Sequence, residues 1–227
     1  MKKLVSLMLL FAVSSVYAGN NDIYITQSGT GLTMNIDQIG GTNKVGTSQT
    51  RATFTGTSMT VDIDQVGDSN TMAASVAQGN STSFTASTTG DSNTTTLALG
   101  ATGDVANTDF DYAATGDSNT VTLTQGADAT ATAGNQDIVI AGNSNDLNAK
   151  CEVVGCINNW DVDGDSNDID TTQTGNSDHS ITADVTGSTN NIDIDQTNST
   201  GGVSDVVVIT ATTSNATIDI DQCTSGC

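Results

Sequence analysis

A four-residue motif, Gly-Asp-Ser-Asn, recurs with close variants through almost the whole chain. It is complete at Gly67, Gly90, Gly116 and Gly164, and it appears as GGTN at Gly40, GNSN at 142–145 and GSTN at 187–190. Successive motifs lie 22 to 27 residues apart. A repeat of this length indicates structural units that cannot bury an apolar face alone and that form a continuous core only when they stack.

Apolar and polar residues alternate on both sides of each motif. After the motif at Gly116, the residues Asn119, Val121, Leu123 and Gln125 share one parity, and threonines occupy the other. This period of two is typical of a β-strand with one buried face. We therefore predict an all-β fold: a β-solenoid with two strands per turn and about eight turns, formed by residues 19–227 as one domain and ending in a half unit at Gln222.

The inward parity carries Asn and Gln next to the turns, and this repetition has a physical reason. A buried amide is costly unless it is hydrogen-bonded, but identical amides stacked about 4.8 Å apart can bond to one another in a ladder. In the turn itself, we expect the glycine to adopt a positive φ and the Asp and Asn to bond their own backbone. The predicted inner ladder comprises Asn21, Gln27, Gln38, Asn43, Gln49, Gln65, Asn70, Gln78, Asn119, Gln125, Asn167, Gln173, Asn190, Gln196 and Gln222.

The N-terminus has the order of a secretory signal peptide. Lys2 and Lys3 precede an apolar run and then the segment Val16-Tyr17-Ala18, so residues 1–18 are predicted to be removed on export. The run is too short for a membrane anchor, which needs about 20 residues. The exported chain keeps three basic residues against 26 acidic ones, a formal charge of −23. That charge disfavours binding to nucleic acid and to anionic lipid, and no membrane insertion is expected.

The spacing Gln-x4-Asn-x5-Gln is the curlin repeat. Two stretches match it: Gln38, Asn43 and Gln49, and, with two extra residues, Gln65, Asn70 and Gln78. The chain resembles the curlin family over nearly all of residues 19–227. The resemblance implies a two-sheet β-solenoid with Asn and Gln inside. It also implies a subunit of curli, the extracellular amyloid fibre of Gram-negative biofilms, that polymerises through its ends with a nucleator curlin and an outer-membrane secretion pore as partners. Family members usually carry a Gly-rich leader, whereas here a repeat begins at Asn21.

Four cysteines form two close pairs, Cys151 with Cys156 and Cys223 with Cys227. In an exported chain such pairs predict disulfides, and four Cys ligands on a metal are the alternative. Long connections at 101–108, 127–136 and 150–158 are expected on the edge of the stack opposite the turns. They are interpreted either as variable loops or as a decorated edge for contacts.

Aspartates occupy the outward parity, where they predict a solvated face. The alternative is Ca²⁺ held between stacked carboxylates; no other cofactor is expected. The outward aspartates are Asp62, Asp64, Asp109, Asp111, Asp137, Asp161, Asp163 and Asp184 on one sheet, and Asp168, Asp170, Asp193, Asp195, Asp219 and Asp221 on the other.

Three functional classes are compatible with this pattern. The first is a curli-like fibre subunit. The second is a monomeric secreted solenoid that binds ice, a polysaccharide or a host surface through outward Thr and Asp rows. The third is a solenoid enzyme, which the sequence supports least: His179 is the only histidine, it is expected at the surface, and nothing marks a nucleophile beside it. The outward threonines are Thr94, Thr96, Thr120, Thr122 and Thr124.

Overall fold

The computed structural model describes residues 20–78, 81–100, 106–126, 132–152, 154–175, 179–198 and 205–224. These residues form strands and turns without a helix, so the prediction of an all-β fold is confirmed. The predicted signal peptide, residues 1–18, lies outside the described residues. The strands are β1 (Asn20–Ile23), β2 (Thr26–Thr30), β3 (Thr33–Ile39), β4 (Thr42–Val45), β5 (Ala52–Thr57), β6 (Thr60–Val66), β7 (Ser69–Gln78), β8 (Ser83–Thr89), β9 (Ser92–Leu99), β10 (Ala106–Thr115), β11 (Ser118–Gln125), β12 (Thr132–Ala141), β13 (Ser144–Cys151), β14 (Val154–Asp163), β15 (Ser166–Gly175), β16 (Ser180–Asn198) and β17 (Val206–Thr224).

The strands lie in two parallel stacks that face each other across the core, which confirms the predicted β-solenoid. The eight-layer stack contains β3, β6, β8, β10, β12, β14 and the N-terminal halves of β16 and β17. The nine-layer stack contains β1 with β2, β4 with β5, β7, β9, β11, β13, β15 and the C-terminal halves of β16 and β17. The nine-layer stack therefore has one layer more than the stack it faces.

Side chains of alternate residues fill the space between the stacks. Phe84 lies over Phe110 with ring centroids 5.9 Å apart, and Phe110 stacks on Tyr112 at 6.1 Å. The Tyr112 hydroxyl lies 2.8 Å from the Thr88 hydroxyl and 2.7 Å from that of Thr95. Burial raises the Tyr112 pKa, although these two hydrogen bonds act in the opposite direction. The core thus contains a cluster of aromatic rings, and the Tyr112 hydroxyl within it is hydrogen-bonded to a threonine of each stack.

The turn glycines have a different role from the predicted one. Gly67, Gly90 and Gly116 are not among the residues with positive φ. A Cβ atom on Gly90 would instead overlap the carbonyl oxygen of Gly67, and one on Gly116 would overlap that of Gly90. The expectation of a positive φ is therefore wrong. The motif requires glycine because consecutive turns stack with their backbones in contact, which leaves no room for a side chain.

Two details of the layers differ from the sequence-based prediction. Residues 46–51 are inserted between β4 and β5, so one layer of the nine-layer stack is interrupted. Strands β10, β12 and β14 begin at Ala106, Thr132 and Val154. These starts lie inside the predicted long connections, because strand pairing with the neighbouring layer continues beyond the apolar pattern.

Candidate functional site

An unbroken column of asparagines runs along the inner edge of the nine-layer stack. The amide Nδ2 of each donates to Oδ1 of the next, at 2.8–3.0 Å, always toward the C-terminal end. The column consists of Asn21, Asn43, Asn70, Asn93, Asn119, Asn145, Asn167 and Asn190. The prediction missed Asn93 and Asn145 because it required a Gln six residues later; the Ser-Asn end of the turn motif is the signal that identifies them.

Five asparagines of the column also bond the carbonyl of the glycine in their own turn: Asn70, Asn93, Asn119, Asn145 and Asn167. Asn119 Nδ2 lies 3.3 Å from the carbonyl oxygen of Gly116 in its own turn and 3.3 Å from that of Ala141 in the next layer. The same pair of contacts recurs at Asn145, which bonds the carbonyls of Gly142 and Asp163. One side chain therefore closes its own turn, joins the next layer and continues the column.

The column ends abruptly at its C-terminal side. Asn190 pairs in register with Ala216, which has no amide to accept its donor. Asn190 is 1% exposed, and its Nδ2 has no hydrogen-bond partner within the described residues. At the opposite end Asn21 is half-buried, and its Oδ1 marks the start of the column.

Glutamines form two short ladders in place of a second full column. In the eight-layer stack, Gln65 Nε2 donates to Gln38 Oε1 at 2.8 Å. In the nine-layer stack, Gln196 donates to Gln173 at 2.7 Å and Gln222 donates to Gln196 at 2.6 Å. Gln222 lies on the exposed terminal strand, so its ladder reaches the end of the molecule.

Two predicted ladder glutamines do not join an amide ladder. Gln49 is exposed in the inserted turn 46–51, because that insertion moves the inward position of its layer to Phe54. Gln27 does point inward and is half-buried, but its register partner is Phe54 and not an amide. Asn43-x5-Gln49 therefore matches the repeat in sequence without forming it in space.

Gln125 is buried in the predicted place, but its neighbours differ from the expected ones. Its register partners are Leu99 and Cys151, and its Oε1 accepts a hydrogen bond from Gln136 Nε2 at 2.7 Å. Gln136 belongs to the other stack, so this amide pair crosses the core. Gln78 ends β7, and its side chain lies outside the described part of the structure.

The first cysteine pair is joined inside the solenoid. Cys151 and Cys156 form a disulfide with their Cα atoms 6.4 Å apart, and both are buried. Cys227, the predicted partner of Cys223, lies outside the described residues. The surface position expected for His179 is wrong, because the ring is buried. Its Nδ1 lies 3.4 Å from the Cys156 backbone nitrogen, and its backbone N–H donates to Asp205 in the next layer at 3.0 Å.

The outward aspartates stack in several places directly on one another. Asp170, Asp193 and Asp219 occupy one column, next to that of Asp195 and Asp221. Desolvation, followed by the negative field of these four neighbours, raises the pKa of Asp193. The electrostatic consequence is a C-terminal end that carries a dense negative surface.

Neutral donors moderate other parts of the acidic rows. Asn159 Nδ2 donates to Asp137 at 2.7 Å, and Asn191 Nδ2 donates to Asp168 at 2.9 Å.

Within the described residues no group of three or more His, Cys, Asp or Glu side chains is arranged to hold a metal ion. Calcium binding stays a prediction.

The two ends of the solenoid expose the cross-section of the core. At the C-terminal end, Ile218 and Ile220 occupy inward positions but are 44% and 41% exposed, because no strand of the described residues covers β17. At the N-terminal end, Ile23, Ile25 and Met34 are partly buried and pack against the core from one side only. Each end therefore combines an apolar surface with a row of backbone groups available for pairing.

No family model, curated protein or solved structure matches the chain. Among the described residues there is also no helix of the length and apolar character needed to cross a membrane.

Proposed function

We propose that the chain is a curli-like structural subunit that is secreted and polymerises end to end into an extracellular fibre for adhesion or biofilm formation. The observation that carries this proposal is the exposed C-terminal layer, where Ile218, Ile220 and Gln222 continue inner columns of the core but pair with no further strand in the described part of the chain. Monomeric solenoids normally cover such ends with a capping element, and an exposed strand edge is a template for another chain.

Geometry favours a linear polymer. Contact between unlike ends of a parallel stack is heterologous, so every addition recreates the same free end and the assembly does not close. Inward amides at the end add directional hydrogen bonds to the burial of apolar surface, as in stacked amyloid layers. No enzymatic activity is proposed.

The charge of the chain opposes assembly, so the rate of polymerisation should depend on salt and pH. Each exported subunit carries a formal charge of −23, and repulsion between subunits is screened over about 10 Å at 0.1 M salt. We expect added salt, Ca²⁺ and a lower pH to accelerate polymerisation, since each reduces repulsion between the aspartate rows.

The proposed location and partners depend on the predicted signal peptide and on the curlin-like repeats. The signal peptide supports export, and the resemblance supports a cell-surface fibre with a nucleator curlin and an outer-membrane pore. Co-expression with such a pore, followed by detection of the chain on the cell surface, tests this part of the proposal separately.

The test of the fibre itself uses purified exported chain, residues 19–227. Light scattering and binding of an amyloid dye are followed at low and high salt, with and without Ca²⁺. Fibres that appear faster at high salt support the proposal. A chain that stays monomeric at high concentration under every condition rejects it.

That second result would favour a surface-binding solenoid. Its specific support is the neutral part of the outer face, where Thr71, Thr94 and Thr120 form one column and Thr96 and Thr122 another. Such a regular hydroxyl array suits an ordered, uncharged surface such as ice or a polysaccharide. Co-sedimentation of the monomer with an insoluble neutral polysaccharide, and inhibition of ice growth, test the two ligands.

A further inference from the structure

The unequal height of the two stacks restricts how two copies can join. In an end-to-end contact, β3 (Thr33–Ile39) of one copy pairs with the first half of β17 of its neighbour, so the eight-layer stacks of the two copies become continuous. The nine-layer stack then has room for β4 with β5 of the first copy beside β17 of the neighbour, but none for β1 and β2. Joining through β1 and β2 instead would leave a one-strand gap in the eight-layer stack, with unpaired backbone groups on both sides.

Residues 20–30, which form β1 and β2 and which we call the N-terminal strap, resemble the C-terminal strand in their inward side chains. The strap presents Asn21, Ile23, Ile25 and Gln27, and β17 presents Ala216, Ile218, Ile220 and Gln222. Three of the four residues are identical and have the same spacing. The strap therefore carries nearly the same inner surface as the last layer of another copy.

The strap covers the surface that this last layer would occupy. Ile23 pairs with Val45, the register of β2 places Ile25 over Ala52, and Gln27 pairs with Phe54. In the end-to-end contact described above, Ile218, Ile220 and Gln222 of another copy would lie over those same three residues.

We propose that the N-terminal strap is an internal mimic of the C-terminal strand: it covers the docking surface on β4 and β5, and a second copy displaces it as the fibre grows. The inference rests on the proposed end-to-end assembly. It identifies the docking surface, the partner and the contact that restrains the free subunit.

Because the strap places Asp22 in register with Lys44, charge at this surface complements both the strap and the second copy. The outward side chains of its last layer include Asp219 and Asp221, whereas β4 carries Lys44 and the inserted turn ends at Arg51. These are two of the three basic residues of the exported chain. A contact between two C-terminal ends would instead place the same aspartates against each other, so the charges also select the polarity of the joint.

One difference between the strap and the C-terminal strand of a second copy favours the closed subunit. Asn21 donates to Asn43 Oδ1 and to the Ile39 carbonyl, each at 3.0 Å, and its own carbonyl accepts from Gln38 at 3.0 Å. Ala216 has no side-chain amide with which to replace the first two bonds. Ala216 therefore leaves the Asn190 donor unpaired in the subunit. For the same reason, the C-terminal strand of a second copy binds the docking surface on β4 and β5 more weakly than the strap does.

Three variants test the competition by the rate of polymerisation at fixed concentration. Deletion of residues 20–30, Asn21→Ala and Ala216→Asn should each accelerate assembly, by roughly tenfold for the two point variants, the factor that corresponds to about one hydrogen bond. Asn119→Ala removes an equivalent amide from mid-column and is the matched control; it should not accelerate assembly. Slower assembly after the deletion and after Asn21→Ala would overturn the inference, because it would mean that the strap is part of the joint.

Limited proteolysis of wild-type fibres gives a second readout that does not depend on any variant. Chymotrypsin cleaves after Tyr24, whose backbone is held between β1 and β2 in the subunit. Displacement predicts cleavage at Tyr24 at least about tenfold faster in fibres than in monomer. Fibres that protect this bond would overturn the strap inference and leave the fibre proposal standing, whereas a wild-type chain that forms no fibres would overturn both.

Discussion

Replacement of Asn119 by Leu is the sharpest test of the asparagine column, because the side chains are similar in size and differ in hydrogen bonding. Asn119 donates to Asn145 at 2.9 Å and to two carbonyl oxygens, and it accepts from Asn93 at 2.8 Å. Leucine leaves the buried Asn145 Oδ1 without its donor, while Asn93 keeps its bonds to Gly90 and Thr115. One orphaned acceptor and the lost turn contacts together should lower the free energy of unfolding by about 2–4 kcal/mol.

Urea denaturation of the monomer, followed by circular dichroism, measures this loss. The control is Thr122→Ser on the outward face of the same strand, which should change stability by less than about 0.5 kcal/mol. Hydrogen exchange should localise the effect to the layers containing residues 119 and 145. If the leucine variant and the serine variant unfold at the same urea concentration, the amide column does not stabilise the solenoid and this reasoning is wrong.

Three further predictions concern the ends, the charges and the disulfide. Ala216→Asn should raise the monomer's thermal midpoint by supplying an acceptor for Asn190, an effect of about 1 kcal/mol; an unchanged midpoint would mean that this donor is satisfied in another way. Desolvation and neighbouring carboxylates raise the pKa of Asp161 and Asp193 above 3.8, so the folded chain binds more protons than the unfolded chain just above that pH. Stability should therefore increase as the pH falls from 7 toward the raised pKa values, and a thermal midpoint that falls steadily over this range contradicts the assignment. Reduction of Cys151–Cys156 should lower the thermal midpoint, because it removes a covalent constraint on the unfolded chain, and an equal midpoint with and without reductant would show that the bond is not needed for the fold.

The repeat and its parity were sufficient to predict the fold class and the direction of most side chains. Asn43, Asn70, Asn119 and Asn167 lie in the column because their position after the turn fixes their depth in the core. The role of the turn glycine could not be predicted from its type alone, since glycine suits both a positive φ and a close backbone contact. Only the stacking of Gly67 on Gly90 decides between the two.

Glutamine positions were harder to predict because they lie farther from the turn. The insertion before Ala52 shifts the register of one layer, so Gln49 leaves the core while Phe54 enters it. Gln125 bonds across the core to Gln136, a contact between stacks that the spacing within one strand does not encode. Burial of His179 likewise depends on the neighbouring layer, not on the local polar sequence.

Electron cryomicroscopy of the assembled material tests the central proposal, end-to-end stacking of folded solenoids, most directly. The layers should be spaced about 4.8 Å apart, and one subunit should add a rise of roughly 40 Å along the filament axis, the height of eight or nine layers. Within each subunit, the asparagine column should run parallel to that axis. A rise of about 4.8 Å per chain, as in fibrils where every molecule forms a single flat layer, would contradict the proposal, and so would a chain that forms no filaments.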